Sequence, residues 1–129
     1  MLRILIADDH PIVRNGLKSI LNEQPDMAVT GEAGDGQIAL DMLSRDTYDL
    51  LLLDITMPRK NGFEVLKELK IRLPSLPVLI LSTHAPEQYA GKALKAGASG
   101  YLSKEEAPAH LVSTIRQMFH RKLCSNPLS

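Results

Sequence analysis

The sequence predicts an open, doubly wound α/β domain built on a parallel sheet. Two observations carry that expectation. Five short apolar runs alternate along the chain with segments of helical periodicity, the pattern of repeated strand-helix units. The central run, Leu50 to Leu53, is apolar at every position, as a strand covered by helices on both faces must be. That run stops on a carboxylate, Asp54. Burying an unpaired charge is costly, so Asp54 belongs at an open strand end or beside a cation.

Each element has its own signal. The first strand is RILIA, Arg3 to Ala7. A helix follows behind Asp9-His10, with Pro11 suited to the first turn and Val13, Leu17, Ile20 and Leu21 as its apolar stripe; it ends by Pro25. The second strand is Met27 to Ala33. After the Gly34-Asp35-Gly36 turn, Ala39, Leu40 and Leu43 mark the second helix. Asn61-Gly62 precede the third, whose stripe is Val65, Leu66, Leu69 and Leu73, and Pro74 and Pro77 punctuate what comes next. The fourth strand is Pro77 to Ser82. Its helix, about Pro86 to Ala96, has a thin apolar face of Ala90, Ala93 and Leu94 and a good terminal cap in Gly97, so it is weakly anchored and a candidate moving part. Gly100 to Ser103 form the last strand, and Leu111, Val112, Ile115, Met118 and Phe119 the last helical stripe. Periodicity is lost in RKLCSNPLS. Residues 1–120 are therefore expected to form the domain and residues 121–129 the start of a linker.

Bulk composition narrows the function. A chain of 129 residues with 44% hydrophobic content fits a single domain with a real core. Lysine plus arginine balance aspartate plus glutamate at 15 each, so no global basic surface suggests direct nucleic-acid contact. The single cysteine, Cys124, cannot close an internal disulfide and favours a reducing, cytoplasmic setting. No apolar run approaches the ~20 residues of a membrane span, and MLRILIADD lacks a signal-peptide layout, so a soluble protein with no membrane partner is expected.

In such sheets ligands bind outside the carboxyl ends of the strands. Asp8 and Asp9 follow the first strand, Asp54 ends the third, Ser82 and Thr83 end the fourth, and Lys104 follows the fifth. In the flavodoxin-like order 2-1-3-4-5 these groups converge on one pocket. Carboxylates ~5 Å apart at an effective dielectric of ~20 repel by roughly 3 kcal/mol per pair, which a hard divalent cation relieves. Mg²⁺ suits an all-oxygen site: Asp9 and Asp54 as direct ligands, Asp8 through water, and the backbone carbonyl of Thr56 as a neutral oxygen. A cation-bound carboxylate beside a lysine is also a competent phosphoryl acceptor, with Asp54 attacking, Lys104 neutralising charge and the Ser82 hydroxyl donating to a phosphoryl oxygen.

The pair Asp8-Asp9, the segment DITMPRKNG from Asp54 to Gly62, Ser82, and AGASGYLSK from Ala96 to Lys104 resemble the receiver domain of two-component response regulators. The resemblance covers nearly the whole chain, in order and spacing. DDHPIVRNGL and AGASGYLSK further resemble receivers of the NarL/FixJ class, which carry a LuxR-type helix-turn-helix output domain. The resemblance implies a five-stranded CheY-like fold, a bound Mg²⁺ and a phosphoryl group accepted from a sensor histidine kinase. It makes Asp54 the phosphoacceptor, Asp8 and Asp9 metal residues, Ser82 and Tyr101 a switch pair, and Lys104 the invariant-type lysine. Such a domain is no turnover enzyme; it catalyses only its own phosphorylation and dephosphorylation. Two features depart from the family. Glu105 stands where a cis-proline often follows the lysine, and a non-proline cis bond costs ~3 kcal/mol, which leaves the geometry of that peptide open. The sequence also stops before an output domain would begin, so a piece of a longer regulator is expected, with a stand-alone receiver as the alternative.

Blander roles remain for several residues. His10, past Asp9 at a helix start, reads as a surface or capping residue, and His84 as a surface residue rather than part of the pocket's rim. Met57 and Pro58 read as loop-shaping. Rival functions fit less well: a haloacid-dehalogenase-like phosphatase needs a second acid where Thr56 stands, and a flavin carrier needs a phosphate loop where Asp8-Asp9 would repel phosphate. A phosphorylation-independent interaction module is the remaining alternative. In the receiver reading, phosphorylation shifts Ser82 and Tyr101, alters the face of the fourth helix, fifth strand and fifth helix, and controls DNA binding or creates a homodimer.

Overall fold

The apolar strands divide their side chains between two cores. Leu5, Ala7, Leu51, Leu53, Val78 and Ile80 face one side of the sheet, and Ile4, Ile6, Leu50, Leu52, Leu79 and Leu81 face the other. Successive strand residues point to opposite faces, so a strand covered twice is apolar throughout.

The computed structural model describes residues 1–57, 60–83 and 86–124, with no description of the side chains of 86–89 and 121–124. Its elements alternate strictly: β1 (Leu2–Ala7), α1 (Pro11–Asn22), β2 (Met27–Ala33), α2 (Gly36–Arg45), β3 (Leu50–Asp54), α3 (Gly62–Arg72), β4 (Val78–Ser82), α4 (Pro86–Lys95), β5 (Gly100–Ser103) and α5 (Ala107–Cys124). The strands pair in parallel in the order β2-β1-β3-β4-β5, the order expected from the sequence.

Helices α2, α3 and α4 cover the first face through Leu40, Leu43, Val65, Leu66, Leu69 and Ala93. Helices α1 and α5 cover the second through Leu17, Leu21, Leu111, Ile115 and Met118. Leu52 at the centre has no exposed surface, and truncating it to alanine would cost about 2–5 kcal/mol.

Local chemistry sets the helix ends. Pro11 opens α1, where its missing N–H costs nothing. The Asp35 carboxylate accepts from the Ile38 amide at 2.9 Å to cap α2. Asn61 and Glu64 form a reciprocal capping box on α3, with contacts of 3.0 and 3.3 Å. Gly97, at φ +112°, follows α4 in the left-handed region that glycine tolerates.

Three details differ from the sequence reading. Ala93 is fully buried but Leu94 is 53% exposed, so α4 rests on the sheet through small residues and its face is thinner still than predicted. Leu73 lies at the C-cap of α3 and is partly exposed, off the buried stripe. The backbone of α5 stays helical through Cys124, past the end of its apolar stripe. Pro58, His84 and the end of the chain from Ser125 lie outside the described residues. Among the described residues, no helix is long and apolar enough to cross a membrane.

Candidate functional site

Parallel pairing places all the strand carboxyl ends on one edge, and register aligns their last residues. Ala7 sits opposite Leu53, so Asp8 follows β1 beside Asp54 at the end of β3. Ser82 lies opposite Ser103, and the Lys104 amide extends that ladder by donating to the Ser82 carbonyl at 2.7 Å. Asp8, Asp54 and Ser82 have no exposed surface.

Lys104 ties the edge together. Its ammonium lies 3.0 Å from Asp54 Oδ2 and 3.0 Å from Asp8 Oδ2, with only 8% of its side chain exposed. Asp54 Oδ1 accepts from the Thr56 amide at 3.1 Å and from its hydroxyl at 3.4 Å. The Asp8 carboxylate accepts the His10 amide at 2.7 Å, while Arg14 donates to the Asp8 carbonyl at 2.6 Å. The described peptide bonds are all trans, including that between Lys104 and Glu105, and the lysine still reaches both carboxylates.

Burial pushes the Asp54 carboxyl above its ordinary range; the Thr56 amide and Lys104 pull it back, and Asp8 pushes it further up. Burial also pulls the Lys104 ammonium down, but its pairing with Asp8 and Asp54 outweighs this and leaves it above the usual lysine value. One ammonium cannot offset three carboxylates. Asp8 Oδ2 and Asp9 Oδ1 are buried atoms without a well-aligned hydrogen bond, the former paired with the Lys104 ammonium at 3.0 Å. Ligand atoms of Asp8, Asp9, His10 and Asp54 all lie within 4.8 Å of one another, a donor set that suits a divalent cation.

The structure thus brings Asp8, Asp9, Asp54, Thr56, Ser82 and Lys104 to one edge. Tyr101 is half-buried on β5, opposite Ile80, and packs against the α2, α3 and α4 core. Met57, expected as a loop-shaping residue, is itself buried in that core. His10 is on the surface as expected, with 52% of its side chain exposed, but it does not act as a cap. Its side chain makes no cap hydrogen bond to α1, and Nδ1 lies 3.2 Å from Asp8 Oδ1, 3.2 Å from Asp9 Oδ1 and 3.8 Å from Asp54 Oδ2. The adjacency of His10 to two acids was the available signal; the rotamer that turns the ring inward is a tertiary choice that a sequence does not display.

Comparison with known proteins agrees with this geometry. The model of the response regulator receiver domain family matches residues 4–116. The uncharacterized transcriptional regulatory protein YxjL of Bacillus subtilis (strain 168) is 40% identical over 115 residues, 89% of this chain and 53% of that protein. The nitrate/nitrite response regulator protein NarL of Escherichia coli (strain K12) is 38% identical over 114 residues, 88% of this chain and 53% of that protein. The crystal structure of a LuxR-family two-component response regulator from Aurantimonas sp. SI85-9A1 superposes with a TM-score of 0.86 at 36% identity, covering 92% of this chain and 84% of that one. The chain spans about half the length of the two transcriptional and response regulators it matches. Motif, topology and similarity agree, and the chain belongs to the response regulator receiver domain family.

Proposed function

We propose that this receiver accepts a phosphoryl group on Asp54 from the phosphohistidine of a sensor histidine kinase, and through it controls a DNA-binding output domain carried beyond a linker that follows α5. The observation that carries the reading is the fully buried Asp54 carboxylate, held at 3.0 Å by Lys104 at the strand edge beside Asp8 and Asp9. A carboxylate oxygen of Asp54 attacks phosphorus, the donor's P–N bond breaks, and the imidazole leaves with the electron pair. The domain catalyses only its own phosphorylation and the later hydrolysis of its acyl phosphate.

Asp9 and Asp54 would hold Mg²⁺ directly, Asp8 through water and the Thr56 carbonyl as a neutral ligand. Bound there, Mg²⁺ supplies charge neutralisation for the transferring oxygens. Lys104, already paired with Asp54, meets the new negative charge with an ammonium, and the Ser82 hydroxyl donates to a phosphoryl oxygen. Ser82 and Tyr101 form the switch pair. As Ser82 moves toward the phosphoryl group, Tyr101 enters the space it leaves, and the α4-β5-α5 face shifts between two packings. That α4 rests on the core through Ala93, with Leu94 in solvent, supports α4 as the element that moves. The altered face serves a phosphorylation-dependent homodimer or releases the output domain, on the cytoplasmic side of the membrane.

Intact-mass spectrometry after incubation with acetyl phosphate tests the reading. One phosphoryl adduct that requires both Mg²⁺ and Asp54 is expected, and Asp54→Asn removes it. A folded protein that forms no adduct with acetyl phosphate or with histidine kinases would turn the assignment toward a phosphorylation-independent interaction module.

A further inference from the structure

We infer that His10 is a nitrogen ligand that enables the acidic pocket to take a borderline transition ion, such as Ni²⁺ or Co²⁺, in competition with Mg²⁺. The inference rests on the reading of Asp8, Asp9 and Asp54 as the cation pocket.

The backbone sets the direction from which the ring approaches. His10 is extended, at φ −103° and ψ 101°, its amide is held by Asp8 at 2.7 Å, and Pro11 begins a helix immediately after it. These constraints hang the imidazole over the carboxylates, with about half of the side chain, 52%, open to solvent as a path of entry.

The spacing is that of ligands around one ion. Neighbouring donors on an octahedral ion with bonds of ~2.1 Å lie roughly 3.0 Å apart. Nδ1 is 3.2 Å from one oxygen each of Asp8 and Asp9. The Lys104 ammonium marks where positive charge settles. It lies 3.0 Å from His10 Nδ1, 3.0 Å from Asp8 Oδ2 and 3.0 Å from Asp54 Oδ2. Nδ1 faces the same charge-favoured region as the two carboxylates: with the ring proton on Nδ1 it donates to Asp8 Oδ1 at 3.2 Å, and with the proton on Nε2 its lone pair is offered to a cation.

Donor chemistry sets the selectivity. An all-oxygen pocket prefers hard ions such as Mg²⁺, whereas adding an imidazole raises affinity most for Co²⁺, Ni²⁺, Cu²⁺ and Zn²⁺. Asp8, Asp9 and Asp54 serve either class, and His10 favours only the second. The ring is therefore a specificity determinant within a shared set of carboxylates.

Calorimetric titration of the whole chain with MgCl₂ and with NiCl₂ tests this on wild type, His10→Ala and Asp9→Asn. Wild type is expected to hold Ni²⁺ more tightly than Mg²⁺. His10→Ala should shrink that preference about tenfold or more, the scale on which changes around metal ligands alter affinity. Asp9→Asn should weaken both ions. Visible absorption of the Co²⁺ complex should change in intensity between wild type and His10→Ala, as loss of a nitrogen ligand requires. Unchanged Ni²⁺ affinity in His10→Ala, or Ni²⁺ binding indifferent to Asp9→Asn, overturns the inference while leaving the Mg²⁺ pocket intact. Mg²⁺ binding indifferent to Asp9→Asn overturns the pocket itself, and the role of His10 with it.

Discussion

Lys104 Nζ lies 3.0 Å from Asp54 Oδ2, joining two residues 50 positions apart in a pair almost sealed from solvent. Neither partner is comfortable alone. Burial penalises each charge; Asp8 and Asp54 more than offset the penalty for Lys104, whereas Lys104 offsets only part of it for Asp54.

Replacing Lys104 with methionine keeps the length of the side chain and removes the charge. Asp8 and Asp54 are then left facing each other in the interior. In divalent-free buffer near neutral pH, urea unfolding should show a loss of about 3–5 kcal/mol, the cost of stranding a buried charge. Mg²⁺ should recover part of that stability, since it binds the folded state. Phosphorylation by acetyl phosphate should slow by about a hundredfold, as expected when one donor to developing negative charge is lost.

Gly62 begins α3 against the backbone that carries Asp54. A methyl group there would fall 2.8 Å from the Asp54 carbonyl oxygen and 2.7 Å from Ile55 Cα. Backbone has little room to retreat. Gly62→Ala should cost about 1–3 kcal/mol in chemical denaturation and slow phosphorylation, because the shift is transmitted to Asp54, the proposed acceptor. Gly16 gives the opposite outcome. It lies exposed within α1, and a methyl group added to it would meet nothing within 4 Å, so Gly16→Ala should add about 0.5–1 kcal/mol without touching the site.

The capping box on α3 has a separable value. Asn61→Ala removes the acceptor for the Glu64 amide and should lower stability by about 1 kcal/mol. Denaturation midpoints of Asn61→Ala and Asn61→Asp measure it. The aspartate can accept the same bond and should retain most of the stability.

Glu32 on β2 receives Lys18 at 3.0 Å and Arg14 at 3.2 Å from α1. Lys18 first, then Arg14, holds its carboxyl below the usual glutamate value of 4.5. A carboxyl depressed in the folded state stabilises that state above its unfolded pKa, and the contribution disappears as pH falls through the folded value. Thermal midpoints of wild type and Glu32→Gln should therefore differ at pH 7 and converge as pH falls past the usual glutamate value and through the lower folded one. The gap should also narrow in high salt, since both side chains of the Lys18 pair are partly exposed.

Much of this site was legible because strand ends and site residues coincide. A run of leucines that stops at Asp54 declares both a doubly covered strand and its open end, and Asp8 and Lys104 declare theirs in the same way. His10 was legible only as an exposed residue beside two acids. Its neighbours in sequence mark a helix start, whereas its contacts depend on Asp54 and Lys104, which only the folded sheet brings close. Leu94 misled for a related reason: helical spacing admits it to the apolar stripe, but the sheet meets α4 at Ala93. Beyond Phe119 no apolar periodicity signals a helix, yet α5 continues through Cys124, because a helix already nucleated can propagate through good helix formers such as Arg121, Lys122 and Leu123.

The separation between Asp54 and Lys104 also has a meaning in time. On a ribosome adding about 5–20 residues per second, the 50 residues between them take about 3–10 s to appear. During that interval the acidic half of the pocket exists without its cation, and β5 has yet to join the sheet edge. A nascent chain therefore carries Asp54, the proposed acceptor, before the site around it is complete, and the pocket closes only once β5 and the lysine behind it have been translated.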